Sequence, residues 1–165
     1  MTCINISCEA VIEQYADLVY RIAISHVTNK QDAEDIFQDV FVSLIKNISR
    51  IEDEMHLKHW LIRATINRTK NYHSCFWKRH VNFNLVVNTE ETTYLQEENS
   101  QIDEIREQIS TLPIKLKSVV YLHYYEGYSV DEIAVILKVP SGTVKSRLYN
   151  ARKILKNKLR EVNGL

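Results

Sequence analysis

Ser129 to Leu159, SVDEIAVILKVPSGTVKSRLYNARKILKNKL, reads as two amphipathic helices meeting at a tight corner. Ser129 followed by Glu132 fits a capping box, in which serine oxygen and glutamate carboxylate satisfy orphan amides at a helix start. The apolar residues Val130, Ile133, Ala134 and Leu137 fall at helical spacing, and the corner spans Lys138 to Pro140. Pro140 cannot donate an interior hydrogen bond, so the second helix begins at Pro140 or Ser141. There Val144, Leu148, Ala151 and Leu155 form one apolar stripe, leaving Lys145, Ser146, Tyr149, Asn150 and Lys153 facing away from it. A helical hairpin with a merely solvated basic face is the bland alternative. The agreement of cap, corner and basic outward face favours a helix-turn-helix that enters a DNA groove.

That face has the chemistry for the task. Lys145 can donate to guanine acceptors or phosphate, Asn150 can bond an adenine edge twice, and Tyr149 can pack on a thymine methyl. The amides near Gly142 and Thr143 sit at a helix amino terminus, where phosphate is held favourably.

Total charge hides this reading, because 21 basic residues balance 21 acidic ones. Local charge does not balance. Leu112 to Leu165 holds ten basic and four acidic residues, a net of plus six; Leu61 to His80 holds Arg63, Arg68, Lys70, Lys78 and Arg79 and no acid. Val81 to Thr111 carries seven acids against Arg106, and the first sixty residues carry ten acids against five bases. Two basic surfaces separated by an acidic connector predict nucleic-acid binding that weakens steeply with salt.

The first half predicts three helices. Cys8 to Val27 places Val11, Ile12, Tyr15, Leu18, Val19 and Ile22 on one side, and Asp32 to Ile48 does the same with Ala33, Ile36, Phe37, Val40, Phe41, Leu44 and Ile45. Thr28 and Gln31 make a plausible capping box for the second helix. Its outward residues Asp32, Asp35, Gln38 and Asp39 form an acidic ridge; a solvated face with carboxylates near a helix amino end explains them equally well. The third segment, Leu57 to about His80, starts like a core helix and then crowds Arg63, Asn67, Arg68, Lys70, Asn71, Tyr72, Phe76, Trp77, Lys78 and Arg79 together. Cations track a phosphate backbone while exposed rings stack on unpaired bases. On composition alone, buried rings and solvated cations account for the segment as well.

Asn82 to Ser100 reads as a flexible linker rich in Asn, Glu and Thr, followed by short helices at Ile102 to Ile109 and Ile114 to Tyr125. The fold class is therefore all-α: two small helical domains joined by an acidic linker. Cys3, Cys8 and Cys75 are odd in number and unpaired in spacing, so neither a disulfide framework nor a cysteine zinc site is expected, and neither metal nor cofactor is assigned. No apolar stretch approaches the length of a membrane span or resembles a secretion signal, which predicts a cytosolic protein.

At this point the residues match a known family. DAEDIFQDVFVSLIKN followed by HWLIRATINRTKNY resembles region two, and LPIKLKSVVYLHYYEGYSVDEIAVILKVPSGTVKSRLYNARKIL resembles region four, of bacterial sigma factors of the extracytoplasmic-function (ECF) group. The pair, in that order and around a short acidic linker, is far more specific than a lone helix-turn-helix. The resemblance implies region two at 1–81, a linker at 82–101 and region four at 102–165.

It also implies roles. Asp32, Asp35, Gln38 and Asp39, with Phe41 nearby, would grip the clamp helices of core RNA polymerase. Asn67 and Asn71, flanked by Arg63, Arg68, Lys70, Trp77 and Lys78, would meet the minus-ten promoter element as it opens, with the Ile48 to His59 loop receiving a flipped base. Gly142, Thr143, Lys145, Ser146, Tyr149 and Asn150 would read the minus-thirty-five element, with Arg147 and Arg152 on phosphates or in packing. Family members direct core RNA polymerase to promoter DNA and are captured reversibly by anti-sigma factors, often membrane-embedded; no small-molecule substrate or catalysis is implied. Lys138 departs from the glycine common at its corner, and if that residue needs positive φ the lysine costs roughly 1 kcal/mol. The other reading is a stand-alone helix-turn-helix regulator that needs no polymerase. An enzyme of DNA rearrangement lacks a convincing nucleophile or carboxylate cluster.

Overall fold

A computed structural model describes residues 7–80, 100–162 and 164, with residues 73–80, 100–103 and 162 described by backbone alone. The described residues contain helices and turns but no strand, and they divide into two compact units. Most of the expected linker, together with Cys3, lies outside them.

The first unit packs three helices: α1 (Cys8–His26), α2 (Lys30–Asn47) and α3 (Glu54–His80), each touching the other two. Their shared core is aliphatic, with Val19, Ile22, Ile36, Leu44, Leu61 and Ile62 all at most 2% exposed. Ser7 caps α1 by accepting from the Ala10 amide at 3.2 Å. The cap of α2 differs from the expected Thr28–Gln31 box. Asn29 Oδ1 accepts from the Asp32 amide at 2.8 Å while Asn29 Nδ2 donates to Asp32 Oδ2, also at 2.8 Å. Asparagine ranks above threonine as a cap and here has a reciprocating acid three residues on, so the helix starts around it.

Two further expectations shift. The α3 helix begins at Glu54 rather than Leu57, because Asp53 Oδ1 accepts from the His56 amide at 2.7 Å and Asp53 O from the Leu57 amide at 2.9 Å. The Ile48 to His59 loop therefore shrinks to a 3₁₀ turn, Ile48–Arg50, and three connecting residues. Ile12 and Ile45, placed on buried stripes by periodicity, are 37% and 57% exposed. The apolar stripe of each helix is wider than the face its neighbours cover.

The second unit contains α4 (Ser100–Ser110), α5 (Ile114–Val120), a π turn (Tyr121–Tyr125), α6 (Val130–Leu137) and α7 (Ser141–Val162). The expected helix to Tyr125 thus ends as α-helix at Val120 and continues in wider hydrogen bonding, with the Glu126 amide reaching Tyr121 O at 3.2 Å. Gly127 at φ +75° then reverses the chain, and the Tyr128 amide returns to Leu122 O at 2.9 Å. The Ser129–Glu132 capping box forms in full. Lys138 adopts φ 54°, ψ 50°, and α7 follows from Pro140, whose carbonyl accepts from Thr143 and Val144. Ile133, Ile136, Val144, Leu148 and Ala151 close the core between α6 and α7.

Candidate polymerase and nucleic-acid surfaces

The acidic ridge lies on α2. Asp35, Gln38 and Asp39 are exposed, and Gln31 Nε2 donates to Asp35 Oδ1 at 3.2 Å. Asp32 and Phe41 stand apart from them. Asp32 is half-buried at the α2 cap, where its Oδ1 also accepts from the Tyr72 hydroxyl of α3 at 2.5 Å. Phe41 is 6% exposed with its ring centroid 4.8 Å from that of Phe37, so it supports the ridge from beneath and offers no outward side chain. In their place the fold exposes Val42 (52%) and Ile45 (57%). Val42 follows Asp35 by seven residues and Ile45 follows Gln38 by seven, so both continue the same helical face as an apolar strip. The spacing is legible in the sequence, but helical periodicity alone directs Ile45 inward.

On α3, Asn67 and Asn71 are exposed one turn apart, and Arg68 is exposed beside them. Thr65 and Thr69 turn inward and return their hydroxyls to the carbonyls of Leu61 and Ile66 at 2.7 Å. Arg63 and Lys70 are half-buried, and burial lowers the Arg63 pKa from its ordinary value without threatening the charge of a guanidinium. Arg68 Nη1 lies 4.0 Å from Asp39 Oδ2, which joins the basic face of α3 to the acidic face of α2. Tyr72 is half-buried and tethered to Asp32, so it is a structural strut rather than a free base-stacking ring. Trp77 and Lys78 lie outside the described side chains.

On α7, Gly142, Lys145, Ser146, Tyr149, Asn150, Arg152 and Lys153 are exposed, while Thr143 and Arg147 are half-buried. Tyr149 is 63% exposed, unusual for an aromatic side chain on a packed helix. Gly142 and this row of polar side chains lie on the exposed side of α7, while the Thr143 and Val144 amides of its first turn already donate to Pro140 O at 3.0 and 3.3 Å. Sequence reading missed Tyr124, which is 54% exposed on the π turn; Arg152 Nη1 donates to its hydroxyl oxygen at 3.5 Å. Nothing in residue spacing links positions 28 apart. Among the described residues no group of three or more metal-type ligands occurs, and no helix is long and apolar enough to cross a membrane.

Two all-helical units, one of them ending in a helix-turn-helix with a polar outward face, define a modular DNA-binding protein. The family model for Sigma-70 region 2 matches residues 11–78 and that for Sigma-70, region 4 matches residues 102–155. The ECF RNA polymerase sigma-E factor of Haemophilus influenzae is 28% identical over 164 residues, covering 90% of this chain and 85% of its own. The ECF RNA polymerase sigma factor SigW of Bacillus subtilis is 28% identical over 168 residues, covering 92% and 88%. Among solved structures, the sigma factor RpoE of Bartonella quintana, in complex with the anti-sigma factor NepR, aligns with a TM-score of 0.72 at 21% identity, covering 92% of this chain and 96% of that one. CnrH, in complex with the cytosolic domain of CnrY, aligns at 0.67 and 18% identity, covering 93% and 88%. The chain belongs to the sigma-70 family, in its ECF group. That family consists of initiation factors, not enzymes. A stand-alone helix-turn-helix regulator would leave the region 2 match across α1 to α3 without an explanation.

Proposed function

We propose that this chain directs core RNA polymerase to promoters, with residues 1–81 binding polymerase and the minus-ten element, 82–101 linking, and 102–165 reading the minus-thirty-five element. The observation that carries the reading is the pairing of an acidic and apolar α2 ridge with a basic α3 face in one unit, and a separate outward recognition helix in the other. Asp35, Gln38 and Asp39, flanked by Val42 and Ile45, engage the polymerase clamp; Asp32 and Phe41 hold that ridge in shape. Asn67 and Asn71 meet the opened minus-ten strand, with Arg63, Arg68, Lys70 and the more distal Lys78 along the phosphates and Trp77 stacking on an unpaired base. Lys145, Ser146, Tyr149 and Asn150 read base edges, while Gly142, Thr143, Arg147 and Arg152 position the helix on the backbone.

The protein acts in the cytoplasm without catalysis or a small-molecule substrate, and an anti-sigma factor, which can be membrane-held, masks these surfaces when the response is off. The complex of the Bartonella quintana sigma factor RpoE with the anti-sigma factor NepR supports that partner class. Run-off transcription with core polymerase on a randomised promoter library tests the reading: a subset of templates should require the added chain. Transcripts independent of it across the whole library would remove the proposal.

A further inference from the structure

The turn between α5 and α6 places Tyr121, Tyr124, Tyr125 and Tyr128 within eight residues, and one of them meets the recognition helix. Arg152 Nη1 donates to the Tyr124 hydroxyl oxygen at 3.5 Å, and both side chains are exposed. Arg152 follows Tyr149 by three residues and Lys145 by seven, which puts it on the flank of the outward α7 face. Tyr124 is braced. The ring of His123 meets it edge-on, with centroids 4.9 Å apart at 76°. His123 is pinned in turn, its Nδ1 lying 2.8 Å from the Tyr128 carbonyl oxygen. A carbonyl only accepts, so that nitrogen carries a hydrogen.

The π turn places Tyr124 here. Its wider hydrogen bonding inserts a residue relative to an α-helix, and such insertions recur at functional sites. Gly127 then closes the turn at a positive φ that a side chain would strain.

We infer that Tyr124 is a positioning residue that acts through Arg152, the two forming a phosphate clamp contributed by two separate elements at the edge of the recognition helix. The inference rests on the reading of α7 as the helix that enters promoter DNA. The phenol oxygen holds one nitrogen of the guanidinium, leaving the other donors of the fork for a phosphate oxygen, and the phenol hydrogen can be given to the same phosphate. Restraining a long arginine before DNA arrives lowers the ordering cost of binding. Because the ligand is backbone rather than a base edge, the clamp strengthens binding to every sequence by a similar factor and fixes how deeply α7 sits.

The test uses the full chain and a short duplex enriched from a random pool by binding to the unaltered protein, with anisotropy titrations over a salt series. Y124F should weaken binding about three- to tenfold on the enriched duplex and by a similar factor on a mixed-sequence duplex. It should leave the slope of log Kd against log salt unchanged, since no charge is lost. R152A should weaken binding further and reduce that slope by about one. The double variant should bind no more weakly than R152A alone. Unaltered binding by Y124F, or losses that multiply in the double variant, would overturn the clamp. If the pool yields no bound duplex, the α7 reading fails and the clamp with it; an enriched duplex indifferent to Y124F removes the clamp alone.

Discussion

The Tyr72 hydroxyl donates to Asp32 Oδ1 at 2.5 Å, joining positions forty residues apart and tying the basic helix α3 to the start of the acidic helix α2. Asp32 is thereby committed on both oxygens, Oδ2 accepting from Asn29 at the helix cap. A hydrogen bond to a charged acceptor contributes about 1.5–3 kcal/mol, so Tyr72→Phe should destabilise the first unit by roughly that amount. Thermal unfolding followed by circular dichroism checks this; a variant that melts like the parent but opens promoters poorly would instead make the Tyr72 hydroxyl a promoter contact.

Asp39→Arg should weaken binding to core polymerase roughly tenfold or more, because it sets a cation within an acidic docking face. Asp39 is exposed, so the melting temperature should stay close to that of the parent, and DNA binding by the second unit should be intact. Simultaneous loss of polymerase and DNA binding would indicate misfolding instead.

Val42→Asp and Ile45→Asp test the apolar strip beside that ridge. Both positions are more than half exposed, so each substitution should alter stability by only about 0.5 kcal/mol. Polymerase affinity should fall nonetheless, since a charge must then be desolvated in the interface. Undiminished affinity by fluorescence polarisation would place the strip outside the contact.

Lys138→Gly should stabilise the second unit by up to about 1 kcal/mol. The residue sits at φ 54°, where a Cβ crowds the backbone and glycine does not. Part of the gain is offset by the added freedom of glycine in the unfolded chain. Chemical denaturation monitored in that unit reads the difference, and a destabilised variant would show that the corner tolerates lysine without strain.

Lys117 on α5 is only 6% exposed, and burial lowers its pKa from the ordinary lysine value. The unfolded chain therefore binds more protons than the fold between the folded and unfolded pKa values, and stability rises with pH across that window. Lys117→Met should be neutral or stabilising at neutral pH and should remove that part of the alkaline rise. Stability measured for both proteins from neutral pH to about pH 10.5 gives the comparison; identical pH profiles would show that the ammonium keeps its full hydration in the fold.

Much was legible before any coordinates. The capping box of Ser129 and Glu132, the corner at Lys138 to Pro140 and the outward row from Lys145 to Asn150 are written in spacings of three and four residues, and local hydrogen bonds realise them directly. The cap of α2 falls at Asn29 rather than Thr28, and its first helical residue at Lys30 rather than Asp32, because Thr28–Gln31 and Asn29–Asp32 compete for the same helix start. Only the relative capping strength of the two pairs separates them.

By itself, then, the chain determined its helical class, its two modules and the polar faces of α2, α3 and α7, since each follows from periodicity and caps within a single helix. Packing decided the rest: that Phe41 is a support and Ile45 is exposed, that Tyr72 is bound to Asp32, and that Tyr124 reaches Arg152. Those outcomes depend on which part of each stripe a neighbouring helix covers and which side chains meet across 28 or 40 residues. No local pattern encodes such meetings, because their free energy exists only once the helices have docked.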